Sequence, residues 1–200
     1  MLDDPQILLL ILPILLFSIV LHEMAHGYAA LFQGDPTAKN MGRLTLNPLV
    51  HLDPIWSVAV PATTLIAGGF FFGMAKPVMY NPRNFRDKKW GETKVALAGP
   101  AVNIAIALIF AFVLNLLAAS DAISSGVVEA LYLVVVMNLF LAILNMIPIP
   151  PLDGSKLLFA LLPADKLHIR LFLERHAFVL LIALLFILIS TNILGIVVYS

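Results

Sequence analysis

Cysteine is absent from the 200 residues, so disulfides and thiolate ligands are excluded. Any metal must therefore be held by nitrogen and oxygen. Charge is scarce as well: Asp, Glu, Lys and Arg make up 12% of the chain, about half the usual share. The 12 basic residues balance 12 acidic ones, which leaves no electrostatic footprint for nucleic acid or an acidic partner. No basic stretch precedes the first apolar run, which opens Met1-Leu2-Asp3-Asp4-Pro5. That run therefore reads as a retained anchor and not as a cleaved signal.

What is present is apolar. Hydrophobic residues make up 61% of the chain and the mean hydropathy is +1.00. A water-soluble domain cannot hide that much apolar surface, so the composition predicts an all-α membrane protein embedded in the lipid bilayer. Four stretches, about 7–32, 95–119, 127–147 and 177–198, are long enough to cross. A fifth, about 55–75, is broken by Pro61, Gly68, Gly69 and Gly73. Residues 39–47 alternate over Arg43-Leu44-Thr45-Leu46 around a glycine break and predict a short β-hairpin. The expected architecture is a polytopic helical bundle of four long spans with a re-entrant or interfacial apolar segment and that hairpin. All 200 residues are read as a single membrane-embedded domain, with a core at about 7–160.

The charges orient the chain. Lys39, Arg43, Lys76, Arg83, Arg86, Lys88, Lys89 and Lys94 lie between the first two spans, and Lys156, Lys166, Arg170 and Arg175 between the last two. The N-terminus and the loop at 120–126 carry no lysine or arginine. The positive-inside rule then puts both basic segments in the cytoplasm and both termini outside. A segment that starts and ends on the cytoplasmic side cannot contain a single crossing, so 55–75 is expected to re-enter or lie along the interface. A full fifth crossing is the rival, and it would spoil the charge asymmetry.

His22-Glu23-Met24-Ala25-His26 lies inside the first apolar run. Two histidines four apart share a helical face, so both imidazoles can reach one zinc ion. Glu23 between them is spaced to take a proton from a water that such a metal activates. Counting from residue 7 at about 1.5 Å per residue, His22 lies roughly 22 Å along the helix, toward the cytoplasmic side but within the membrane. Ionisable groups at that depth are costly and need a function. Taken alone, the pattern leaves two readings open: a catalytic zinc site, or polar side chains bonded to neighbouring helices.

A catalytic zinc uses three protein ligands and leaves one position open. A third can come from the end of the third long span, Asn145-Met146-Ile147-Pro148-Ile149-Pro150-Pro151-Leu152-Asp153-Gly154. Prolines stop the helix there, and Asp153 follows beside a permissive glycine. On local sequence alone, a helix N-cap for residues 154–162 is the favoured reading of Asp153.

The HEMAH motif, Ala98-Gly99-Pro100-Ala101-Val102-Asn103 and the run from Asn145 to Gly154 together resemble the site-2 protease family of intramembrane zinc metalloproteases, peptidase family M50. Gly42-Arg43-Leu44-Thr45-Leu46-Asn47-Pro48 and His51-Leu52-Asp53-Pro54 are similar to its compact prokaryotic branch, whose members lack the PDZ or CBS domains of many relatives. The resemblance covers about residues 15–160 and departs from the pattern at Ile55-Trp56-Ser57. It implies that His22, His26 and Asp153 bind Zn2+, that Glu23 is the catalytic acid/base and that Asn145 helps hold the substrate. It also implies a single-span membrane protein or peptide as substrate. Two other functions stay open at this stage: a transmembrane metal transporter using the histidines as a transit site, and a catalytically silent membrane scaffold.

Other polar residues have plainer expectations. His51 and Asp53 either form a second ligand set, line a substrate groove or, as favoured, hold their loop by hydrogen bonds. Asn138 reads as interhelical glue, and Asn103 can bond across to the same face. Gly99, Ala101, Ala105 and Ala111 form a small-residue packing face. His168 and His176 read as interfacial, and the basic run 83–94 as a topology determinant that meets lipid head groups. The Arg43–Leu46 edge is the expected docking strand for an unwound substrate.

Overall fold

The computed structural model describes residues 5–60, 62–63, 75–118 and 125–191. Seven α-helices occur among them: α1 (Pro5–Phe32), α2 (Thr37–Asn40), α3 (Gly91–Ala118), α4 (Ser125–Asn145), α5 (Gly154–Leu161), α6 (Leu167–Arg175) and α7 (Ala177–Ser190). Single helical turns at Pro48–His51, Pro54–Ala59 and Pro82–Asn84 punctuate the long connection between α1 and α3.

Three helices are long and apolar enough to cross a membrane, over Pro13–Phe32, Gly91–Leu117 and Gly126–Asn145. They pack as a triad, α3 against both α1 and α4, and α1 against α4. Each is apolar all round, as a lipid-facing span must be. Leu108, Phe112 and Ile143 stand on outer faces at 64–68% exposure, acceptable in lipid but not in water. The protein is therefore a multi-pass membrane protein.

Of the predicted fourth span at 177–198, the described residues form α7, which is too short to count as a crossing by itself, so three helices qualify among the described residues and not four. α6 and α7 meet at a bend of 68° and qualify as a span only when taken together. The turn at His176 ends α6, and the His176 ring donates from Nδ1 to the Phe172 carbonyl at 2.8 Å. The α6 sequence carries His168, Arg170, Glu174 and Arg175, too polar to enter lipid as part of a straight span. Residues 192–198 of the expected span lie outside the described residues, as does most of the segment expected to re-enter.

The expected β-hairpin is also corrected: no strand occurs among the described residues. The glycine at its centre terminates a helix instead. Gly42 has φ 66°, its N–H bonds the Lys39 carbonyl, and the Arg43 N–H reaches back to the Ala38 carbonyl, each at 3.0 Å. This is a left-handed C-terminal cap, which closes the last carbonyls of α2. Arg43 then turns inward, is buried, and donates through Nη1 to the Val50 carbonyl. No strand therefore runs between Arg43 and Leu46.

The junction after α1 is held by one carboxylate. Asp35 is fully buried. Its Oδ1 accepts from the Thr37 hydroxyl at 2.6 Å and the Asn84 amide at 2.7 Å, and its Oδ2 accepts from the Asn81 N–H at 2.7 Å. It thus ties the end of α1 to the segment leading into α3. Burial opposes its charge, but the hydrogen bonds from Thr37, Asn81 and Asn84 outweigh that and hold its pKa below the ordinary carboxylate value. A depressed pKa stabilises the fold above the unfolded-state value, and that stabilisation is lost as pH falls through the folded-state value. Asp35→Ala is expected to cost on the order of 2 kcal/mol at neutral pH. Thermal unfolding in detergent should show the wild type and the variant converging as the medium is acidified below the usual aspartate pKa.

Candidate metal centre

The HEMAH turns of α1 face α3 and the loop between α4 and α5. His22 and His26 are 7% exposed, and their Nε2 atoms lie 3.0 Å apart. Asp153 Oδ2 lies 3.2 Å from His22 Nε2 and 3.3 Å from His26 Nε2. The expected cap role of Asp153 is not taken: it makes no side-chain cap hydrogen bond, and its carboxylate faces the imidazoles. The three atoms form a group able to hold a metal ion.

The chemistry of this donor set calls for a cation. His26 Nδ1 donates to the Val95 carbonyl at 2.8 Å, and His22 Nδ1 donates to Asn103 Oδ1 at 2.5 Å. Carbonyl oxygens only accept, so each ring keeps its proton on Nδ1 and presents a bare lone pair at Nε2. Two such lone pairs and a carboxylate oxygen at this spacing repel one another unless a positive ion sits between them. Asp153 Oδ2 is buried with no hydrogen-bond partner. Zinc bonds of about 2.0–2.1 Å make tetrahedral edges of roughly 3.3–3.4 Å, close to the separations seen. Three nitrogen and oxygen donors with one open side match a catalytic site rather than a closed structural one.

That open side is a cavity of about 350 Å³, lined by His22, Glu23, His26, Asn145 and Asp153, with Val78, Tyr80, Leu181 and Leu185 among its other walls. Glu23 Oε2 accepts the Val78 N–H at 2.8 Å, and Oε1 takes no hydrogen bond among the described residues. Asn145 uses one amide hydrogen on the Leu141 carbonyl at 3.0 Å, leaving the other available. The Tyr80 hydroxyl is pushed up to about 12 by burial, with Glu92 and Asp153 adding to the effect, so it stays neutral at physiological pH.

His51 does not join this group. It is 1% exposed, donates from Nε2 to the Thr45 carbonyl at 2.9 Å, and its own carbonyl accepts from the Lys76 N–H at 2.8 Å. Asp53 accepts from the Ile55 N–H at 2.9 Å within the same loop. Two residues of α3 do more at this site than their sequence positions suggest. Gly99, expected on a small-residue packing face, packs against the ligands themselves: a Cβ there would lie 2.5 Å from His22 Cε1 and 2.6 Å from both His22 Nε2 and His26 Cε1. Asn103 bonds across to Asn138 at 3.0 Å as expected, and it also bonds the His22 ring directly. The available signal was their spacing, four apart and hence on one face of α3.

Residues 10–119 and 114–190 match Peptidase family M50. A Bacillus subtilis (strain 168) protein named "Putative zinc metalloprotease YwhC" is 39% identical over 154 residues, covering 74% of this chain and 67% of that protein. Rip2 of Mycobacterium tuberculosis, named in the same terms, is 32% identical over 139 residues, covering 70% of this chain and 52% of its own length. MJ0611 of Methanocaldococcus jannaschii is 44% identical over a shorter stretch of 69 residues, 32% of each chain. No solved structure matches the chain. A donor set suited to zinc, buried among membrane-spanning helices, thus sits in a sequence matched along nearly its whole length by one peptidase family: the chain belongs to peptidase family M50 and is an intramembrane zinc protease.

Proposed function

We propose that this protease cuts peptide bonds inside single-span membrane proteins or peptides, with His22, His26 and Asp153 as zinc ligands and Glu23 as the acid/base. The observation that carries the reading is the convergence of three bare acceptor atoms and Glu23 on one cavity walled by spans. Bound zinc would polarise the scissile carbonyl and acidify the attacking water. Glu23 is anchored at one oxygen by the Val78 N–H, which leaves the other to take the water's proton and pass it to the leaving amine. Asn145 holds the substrate with its second amide hydrogen, aimed at the oxygen that gains charge. A helical substrate hides its carbonyls in its own hydrogen bonds, so it must unwind before it enters the cavity.

The site opens toward the cytoplasm and both termini lie outside, as the distribution of lysine and arginine supports. The core at about 7–160 and the C-terminal helices work as one domain, since Leu181 and Leu185 of α7 close a wall of the same cavity. A metal transporter would need further donor groups stacked along the spans. Among the described residues, His22, His26 and Asp153 are the sole such group. A silent scaffold would not need Glu23 beside that group.

Reconstitution with a single-span substrate tests the reading. Removing metal with a chelator should stop cleavage and added zinc should restore it, with mass spectrometry locating the cut within the apolar segment. Cleavage that persists in fully metal-free protein, or falls only in exposed loops, would falsify it.

A further inference from the structure

Beyond the His22 ring runs a chain of side-chain amides that crosses all three spans. Asn103 Nδ2 donates to Asn138 Oδ1 at 3.0 Å. Asn138 Nδ2 donates to the Val134 carbonyl at 2.9 Å and to Ser18 Oγ at 3.0 Å. Asn103 and Asn138 are 0% exposed and Ser18 is 3% exposed, so water cannot replace any of these partners.

The chain has a direction. The Val134 carbonyl belongs to the α4 backbone and can only accept, so it fixes which end of the Asn138 amide turns toward it. Asn138 must then present Oδ1 to Asn103. That oxygen also only accepts, so Asn103 turns its NH2 toward Asn138 and its oxygen toward His22. The ring nitrogen facing that oxygen must carry the proton. If the Asn103 amide were inverted, its NH2 would face Nδ1, and the ring proton would move to Nε2. It would then point at His26 Nε2 and Asp153 Oδ2, where a cation has to sit.

We infer that this one-way amide relay, anchored on the Val134 carbonyl, fixes the Nδ1–H tautomer of His22 and makes Asn138 a positioning residue for the metal site. The inference rests on the reading of His22 as a ligand and extends it to a side chain that touches neither metal ligand nor cavity. Partners behind a metal-binding imidazole set its tautomer and its basicity, and their loss typically weakens metal binding roughly 10- to 100-fold.

Two variants with the side-chain heavy-atom count of asparagine separate polarity from packing. Asn138→Leu removes the acceptor and frees the Asn103 amide to invert. Asn138→Asp, neutral when buried, still accepts from Asn103 and can donate its own proton to Val134 or Ser18. The full chain in detergent, labelled with 15N-histidine and stripped of metal, gives the tautomer from the imidazole nitrogen shifts, and chelator competition gives the zinc Kd. The wild type and Asn138→Asp are expected to show His22 as Nδ1–H and to bind zinc alike. Asn138→Leu is expected to show mixed tautomers and a Kd weaker by roughly 10- to 100-fold. An Nε2–H tautomer in the wild type overturns the relay without any variant having to fold. So does equal weakening in both variants, which would mean packing alone, or no weakening in Asn138→Leu. His22→Ala is the control: unchanged zinc affinity there overturns the ligand reading, and the relay with it.

Discussion

Glu23→Gln is expected to slow substrate cleavage by about 10²–10⁴-fold while zinc content and thermal stability stay at wild-type values. The substitution keeps the shape of the side chain, and its amide oxygen can still accept the Val78 N–H that anchors Glu23 at 2.8 Å. None of the three converging donor atoms belongs to Glu23, so the metal group is untouched. What disappears is the one group in the cavity spaced to carry a proton between water and the leaving amine. Turnover of a reconstituted single-span substrate and zinc per chain by elemental analysis check the two halves separately. Wild-type turnover in the variant would remove Glu23 from the chemistry. Loss of zinc along with turnover would instead make Glu23 part of the metal group.

The parts of this site that could be read in the sequence are those that depend on local spacing. His22 and His26 are four apart on one helix, and a helix face is a local property. Asp153 is different, since its partners lie on another helix far along the chain. Local rules favoured a cap, and only the family resemblance pointed to the metal. Asn103 is visible as a polar residue able to bond across to the face of Asn138, as it does, but nothing in α3 says that it will also meet His22. The hairpin expected at 39–47 gives way to a helix cap for a physical reason: a glycine with positive φ serves both a tight turn and a helix C-terminus. The four residues of α2 are too few to show a helical period, so the strand-like alternation of Arg43–Leu46 prevailed. Length and apolarity over 177–198 predict a fourth span, but the helix described there covers only residues 177–190 and counts as a crossing only together with α6, from which a 68° bend separates it.

Gly99→Ala is expected to weaken zinc binding and cleavage together, each by about 100-fold or more, because it misplaces ligands on the scale of an ångström. The added Cβ would stand 2.5–2.6 Å from atoms of both imidazole rings, closer than real Cβ atoms come to any neighbour. The rings cannot simply retreat. His22 is held by Asn103 at 2.5 Å and His26 by the Val95 carbonyl at 2.8 Å, and breaking either bond frees the tautomer that metal binding needs. Helix propensity argues the other way, since alanine in a helix interior is favoured over glycine by about 1 kcal/mol. At this position the steric overlap outweighs that gain. Gly126 in α4 supplies the control, because a Cβ there meets nothing within 4 Å. Gly126→Ala should leave zinc affinity and turnover unchanged and leave stability equal or slightly higher. Chelator competition and substrate turnover on the two variants, measured side by side, decide the matter: a Gly99→Ala protein that binds zinc as tightly as wild type would show that α3 does not press on the ligand pair.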